Sequence, residues 1–125
     1  MNLKKIRFVS RFLIAIVILL LNTYAYAQKE NKFKLDPSTS MLMTGKGPGQ
    51  DGSINPYSGE DCVAVIANLA NTPFSVRIQQ KGIILRTIAV EKKETRRISL
   101  GAQEELYIDT PNKTTRFTIN YEQPN

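Results

Sequence analysis

The sequence predicts an all-β domain, a small antiparallel β-sandwich of six to seven short strands, immunoglobulin-like in architecture, with a small β-barrel as the alternative. Two observations carry this. Apolar and polar residues alternate with a period of two through residues 74–80, 95–100, 105–109 and 115–121. Turn-forming clusters separate these runs at intervals of about 8–12 residues, the spacing of a sandwich or barrel. Past the N-terminal segment no long helical stripe interrupts them. Tryptophan is absent and there is one cysteine, so the likeness to antibody domains is architectural only.

The chain starts with a targeting segment. Lys4, Lys5, Arg7 and Arg11 precede an unbroken apolar run over residues 12–21, and Ala25-Tyr26-Ala27 supplies a small-x-small cleavage pattern. Ten residues of helix span about 15 Å, half of a bilayer's hydrocarbon core, so residues 1–27 read as a cleaved secretory signal rather than a membrane span. The expected location is the periplasm or the extracellular space, by the general secretory route, with no transmembrane span after cleavage.

Cleavage removes four of the 17 basic residues and none of the 11 acidic ones, leaving 13 against 11 in 98 of the 125 residues. The strongly basic balance of the whole chain therefore belongs mostly to the signal, and nucleic acid is not an expected partner. Ninety-eight residues make one small domain. A lone cysteine forms no internal disulfide, so stability rests on packing. Cys62 reads as a small buried hydrophobe, with an intermolecular disulfide as the alternative.

Residues 28–39 form a polar, flexible lead-in with room for one short edge strand, and residues 40–44 (SMLMT) form a first strand of the domain proper, which runs to residue 121. Residues 45–61 hold five glycines and two prolines in seventeen positions, which precludes regular structure. Gly45-Lys46-Gly47-Pro48 lacks the phosphate-loop pattern. Asp51, Ser53 and Asn55 resemble the opening of a calcium loop, but Pro56 and Cys62 stand where that loop needs glycine and glutamate, so no metal is expected.

Residues 61–90 read as three strands in a meander. Residues 62–69 are apolar on both faces, Val63, Val65, Ala67 and Leu69 alternating with Cys62, Ala64 and Ile66, as in a strand covered on both sides. Phe74, Val76 and Ile78 face inward from the next strand. Lys81-Gly82 is a tight hairpin, with Gly82 taking a positive φ. If Leu85, Ile88 and Val90 all face inward, Arg86 and Thr87 form a β-bulge. Ile98 and Leu100, then Leu106 and Ile108, then Phe117, Ile119 and Tyr121 complete the core, and residues 122–125 form a frayed tail.

The chemistry available is narrow. There is no histidine, which excludes histidine-based triads and imidazole metal sites, and one cysteine makes no thiol–imidazole pair. Carboxylates remain at Glu60-Asp61 and Glu104-Glu105, but neighbours in extended chain point to opposite faces, so neither pair is an acid–base couple. No catalytic residues, cofactor or metal are expected. The leading reading is an exported, non-enzymatic binding module whose partner is another envelope or extracellular protein. One alternative is an accessory subunit pairing through an edge strand; a small carboxylate hydrolase is the other. Candidate contact residues are Gln50, Asp51, Asn55 and Tyr57 on the long loop, and Arg77 and Arg86, expected side by side on an outward face. The basic residues of the second half suggest a patch for anionic lipid or polysaccharide; the competing reading is a solvated face that guards strand edges.

Intact-mass measurement on exported protein should give a chain beginning at Gln28. A mass that retains residues 1–27 would refute the signal assignment.

Overall fold

The computed structural model describes residues 31–125. The expected signal segment, its expected cleavage site and the start of the lead-in lie outside them. Eight strands follow in order: β1 (Lys32–Leu35), β2 (Ser40–Thr44), β3 (Cys62–Asn68), β4 (Phe74–Gln80), β5 (Ile83–Val90), β6 (Thr95–Leu100), β7 (Glu105–Asp109) and β8 (Thr115–Glu122). Among the described residues no helix is long and apolar enough to cross a membrane.

The strands build two four-stranded antiparallel sheets, β1-β8-β3-β6 (sheet I) and β2-β7-β4-β5 (sheet II). The pairing is nested: β4 with β5, β3 with β6, β2 with β7, β1 with β8. Contacts of β3 with β8 and of β4 with β7 knit the nested hairpin into sheets. Every connection except the β4–β5 hairpin passes from one sheet to the other. Eight strands so connected have the double Greek-key order of a jelly roll. It is a sandwich with two open sheets, and its strand order is not the A-B-E-D arrangement of immunoglobulin domains.

This topology corrects the meander. β4 and β5 do form a hairpin, with Lys81 (φ 50°) and Gly82 (φ 78°) both left-handed, the conformation of a type I′ turn. β3, however, lies in the opposite sheet between β8 and β6. Its inner residues Cys62, Ala64 and Ile66 are buried, whereas Val63, Val65 and Ala67 on the outer side are half-buried.

Alternation in β4, β6, β7 and β8 agrees with the sequence. Phe74, Val76, Ile78, Ile98, Leu100, Leu106, Ile108, Phe117 and Ile119 are all buried, and Tyr121 packs against them half-buried. Phe117 sits between Phe33 (ring centroids 5.4 Å) and Phe74 (5.6 Å). The lead-in thus contributes an edge strand whose Phe33 stacks on the core. At the other end of the chain, β8 takes in Glu122, the first residue of the expected tail.

β5 departs from its expected pattern. Ile78 opposes Arg86 and Gln79 opposes Ile84, so the extra residue is Leu85, not the Arg86-Thr87 pair. Leu85 does not face inward; it is exposed with Ile83 and Ile84.

At one end of the sandwich the buried Asn68 ties three segments together. Its Nδ2 donates to the carbonyls of Thr72 (2.9 Å) and Val90 (3.2 Å), and its Oδ1 accepts from Ala70 N–H (2.9 Å). Both donors and the acceptor are satisfied, so this buried amide is no liability.

Val76 is fully buried, so Val76→Asp should unfold the domain by placing an unpaired carboxylate in the core. Ser75→Thr, one residue away on the outer face, should leave thermal melting nearly unchanged. Equal melting of the two variants would disprove this register.

Candidate functional site

Residues 45–61 contain no strand or helix, yet the loop is tightly built. The Asp51 carboxylate accepts from the backbone N–H groups of Gly45 (3.2 Å), Lys46 (2.9 Å) and Gly47 (3.1 Å), and from Thr44 Oγ1 (3.3 Å). The ring closes because Gly45 and Gly47 take φ values of 125° and 105°, which a side chain would strain.

The chain then runs along β2, the outer strand of sheet II. Gly52 N–H donates to Leu42 O (2.9 Å) and Ser53 N–H to Met43 O (3.1 Å). A Cβ on Gly52 would stand 2.8 Å from Leu42 O and collide with Met41 Cε, so only glycine allows this approach.

Asn55 turns inward, donating to Thr44 Oγ1 (3.1 Å) and Cys62 Sγ (3.6 Å) while its Oδ1 accepts from Tyr57 N–H (2.9 Å). Ser53 and Tyr121 hydroxyls share a 2.6 Å hydrogen bond. Burial pushes the Tyr121 phenol and the Cys62 thiol above their ordinary values. Cys62 therefore stays a protonated, buried thiol, which disfavours the intermolecular disulfide.

Of the four loop candidates, then, Asp51 and Asn55 are bound within the fold, Tyr57 is half-buried against the core, and Gln50 is exposed. Ile54, which the sequence reading passed over, is the loop's most exposed apolar side chain at 70 %.

Arg77 and Arg86 are not neighbours on one face. Arg77 opposes Thr87, and Arg86 opposes the buried Ile78, so the two lie one residue out of step and on opposite sides of sheet II. On the outer side, Arg77 binds both Asp109 oxygens (2.8 and 3.0 Å), Ser40 Oγ (2.7 Å) and Gln79 Oε1 (2.5 Å). It also lies 4.3 Å from the Tyr107 ring centroid. The guanidinium hydrogen bonds hold the Asp109 carboxyl below its usual range.

Arg86, on the inner side of β5, reaches across to sheet I. Its guanidinium binds Glu104 (3.0 Å) and donates to the Ser99 carbonyl of β6. Beside it lies a shallow cleft of about 500 Å³ that Asp61 and Glu104 both line. Asp61 accepts from Ala102 N–H (2.9 Å), and Glu104 is held by Arg86. Glu105 points elsewhere, to Lys46 (3.9 Å) and the Tyr107 hydroxyl (3.0 Å).

The sequence reading missed one surface. Ile83, Ile84 and Leu85, directly after the hairpin turn, are 66 %, 57 % and 47 % exposed on the free edge of sheet II. Three consecutive apolar residues beside a slip in parity were its only signal.

Asp51→Ala should lower stability by about 1 kcal/mol in denaturant unfolding, because it removes the acceptor that gathers three backbone N–H groups and loosens the cover on β2. An Asp51 that served only as a contact residue would leave the midpoint unchanged.

Comparison with protein-family models, with curated proteins and with solved structures found no match to this chain.

Proposed function

We propose that the chain is an exported, non-enzymatic interaction module of the cell envelope or extracellular space, and that its partner adds a strand to the β5 edge. The exposed Ile83-Ile84-Leu85 run on that edge carries the reading. The other three outer strands are guarded. β2 is covered by the long loop, β6 has its Ser99 carbonyl occupied by Arg86 and carries Arg96 and Arg97, and β1 is short with Lys32 and Lys34 exposed. An apolar edge left open offers backbone groups for pairing and side chains for specificity.

The hydrolase alternative draws less support. Asp61 and Glu104 share a cleft, but each already binds a donor of the fold, and Glu104 anchors the arginine that joins the sheets.

Ile84→Lys and Leu85→Lys should each weaken partner capture from envelope extracts roughly tenfold, the loss typical of an apolar anchor. Their melting temperatures should stay close to that of the parent. Undiminished capture by both variants would remove β5 from the interface.

A further inference from the structure

We infer that the outer face of sheet I docks onto a lipid bilayer carrying anionic headgroups. The inference rests on a different face from β5 and is independent of it.

The register sets Lys34 directly opposite Arg116 and Lys32 opposite Thr118. Phe33, Phe117 and Ile119 pack into the core, so Lys32, Lys34 and Arg116 all stand on the outer face, one strand spacing of about 4.8 Å separating the Lys34 and Arg116 backbones. One strand further on, Leu69 N–H donates to Arg116 O (2.8 Å). Lys93 Nζ in turn reaches Leu69 O (2.6 Å), from a backbone held in the left-handed region (φ 59°) that lysine rarely adopts. Arg116 and Lys93 therefore adjoin a leucine that is 43 % exposed, with Lys34 and Lys32 one strand beyond Arg116.

This grouping costs the fold something. Like charges directly opposite on paired strands repel. Among the described residues, Lys46, Arg77, Arg86, Arg96 and Arg97 each have a carboxylate within 4.0 Å; of the seven cations that have none, Lys32, Lys34, Lys93 and Arg116 belong to this group and Lys81, Lys92 and Lys113 lie outside it. Val63, Val65 and Ala67 lie half-buried beside them in the middle of the face.

Charge complementarity demands an anion, and the geometry selects its form. The cations stand side by side on a sheet rather than converging on one point, which suits an extended anionic surface. An exposed leucine bracketed by Arg116 and Lys93 is the composition of an interfacial contact, apolar body inward and charged heads at headgroup level. A soluble polyanion has no use for that leucine.

Residues 31–125 are a compact unit of their own, so the protein beginning at Gln28 is suited to vesicle cosedimentation. It should bind vesicles of phosphatidylglycerol in phosphatidylcholine, more weakly as salt rises, and should not bind phosphatidylcholine alone. Each neutralised cation is worth about fivefold in affinity, so Lys34→Gln with Arg116→Gln should weaken binding about 25-fold. The same pair should hold or raise the melting temperature, because a repulsion is removed. Leu69→Ser should weaken binding to vesicles further, and Lys81→Gln, on the distant hairpin turn, should not. Equal binding to neutral vesicles, undiminished binding by the double variant, or binding to soluble polyphosphate in place of vesicles would each overturn the inference.

Discussion

Two open sheets in one small domain leave four strand edges, and each edge is a row of backbone donors and acceptors that another chain can claim. A barrel would have closed them; a jelly roll of this size does not. Much that looks idiosyncratic follows from the need to satisfy these edges. The seventeen-residue connection, a costly length for a small domain, lays Gly52 and Ser53 against β2. Asp51 then holds that connection in shape through the amides of residues 45–47. Arg86, which would be a misplaced charge on the inner side of β5, instead bridges two edge strands in different sheets.

The outer faces of the two sheets solve their electrostatics differently. On sheet II, Arg77, Asp109, Ser40, Gln79 and Tyr107 form a closed network in which the cation meets a carboxylate, two neutral acceptors and an aromatic ring. Partial exposure limits the worth of such a pair to about 1 kcal/mol, but little there is left unpartnered. On sheet I, the Arg97–Glu122 pair is balanced, while Lys32, Lys34 and Arg116 stand without a carboxylate among the described residues. A sheet that carries its own counter-charges has no electrostatic call on a ligand. One that does not is held together against its own repulsion.

The sequence made individual strands legible because their burial is local: a period of two with one face in the core is written residue by residue, as in Phe74, Val76 and Ile78. Pairing is not local. Nothing in residues 62–68 says that their neighbours are residues 95–100 and 115–122 rather than the next strand along, and a meander is the shorter connection. At the loop, residue type leaves two readings open. Asp and Asn are common contact residues and equally common hydrogen-bonding partners for backbone in turns, and in the folded chain Asp51 and Asn55 bind their own loop and β2. Parity failed once more at β5, where an extra residue at Leu85 flips the strand and separates Arg77 from Arg86.

The nesting bears on how the fold is held without a disulfide. The β4–β5 pair is closed by two residues; each outer pair encloses all the pairs within it, so β1 with β8 closes nearly the whole described chain. Closure entropy rises slowly with length, but it must be met before the outer pairs contribute, and contacts of large sequence separation form slowly. The one pairing favoured locally therefore carries the apolar residues 83–85 at its tip, exposed both before the sheets wrap and after. A run so placed is a standing aggregation hazard. The type I′ turn twists this edge strongly, and the bulge interrupts its register, so indiscriminate stacking is hindered while the apolar side chains stay in reach of a strand that matches the twist. Guarding three edges with a loop, an arginine clasp and lysines, and the fourth only by its shape, makes β5 the edge at which the sheet is open to extension.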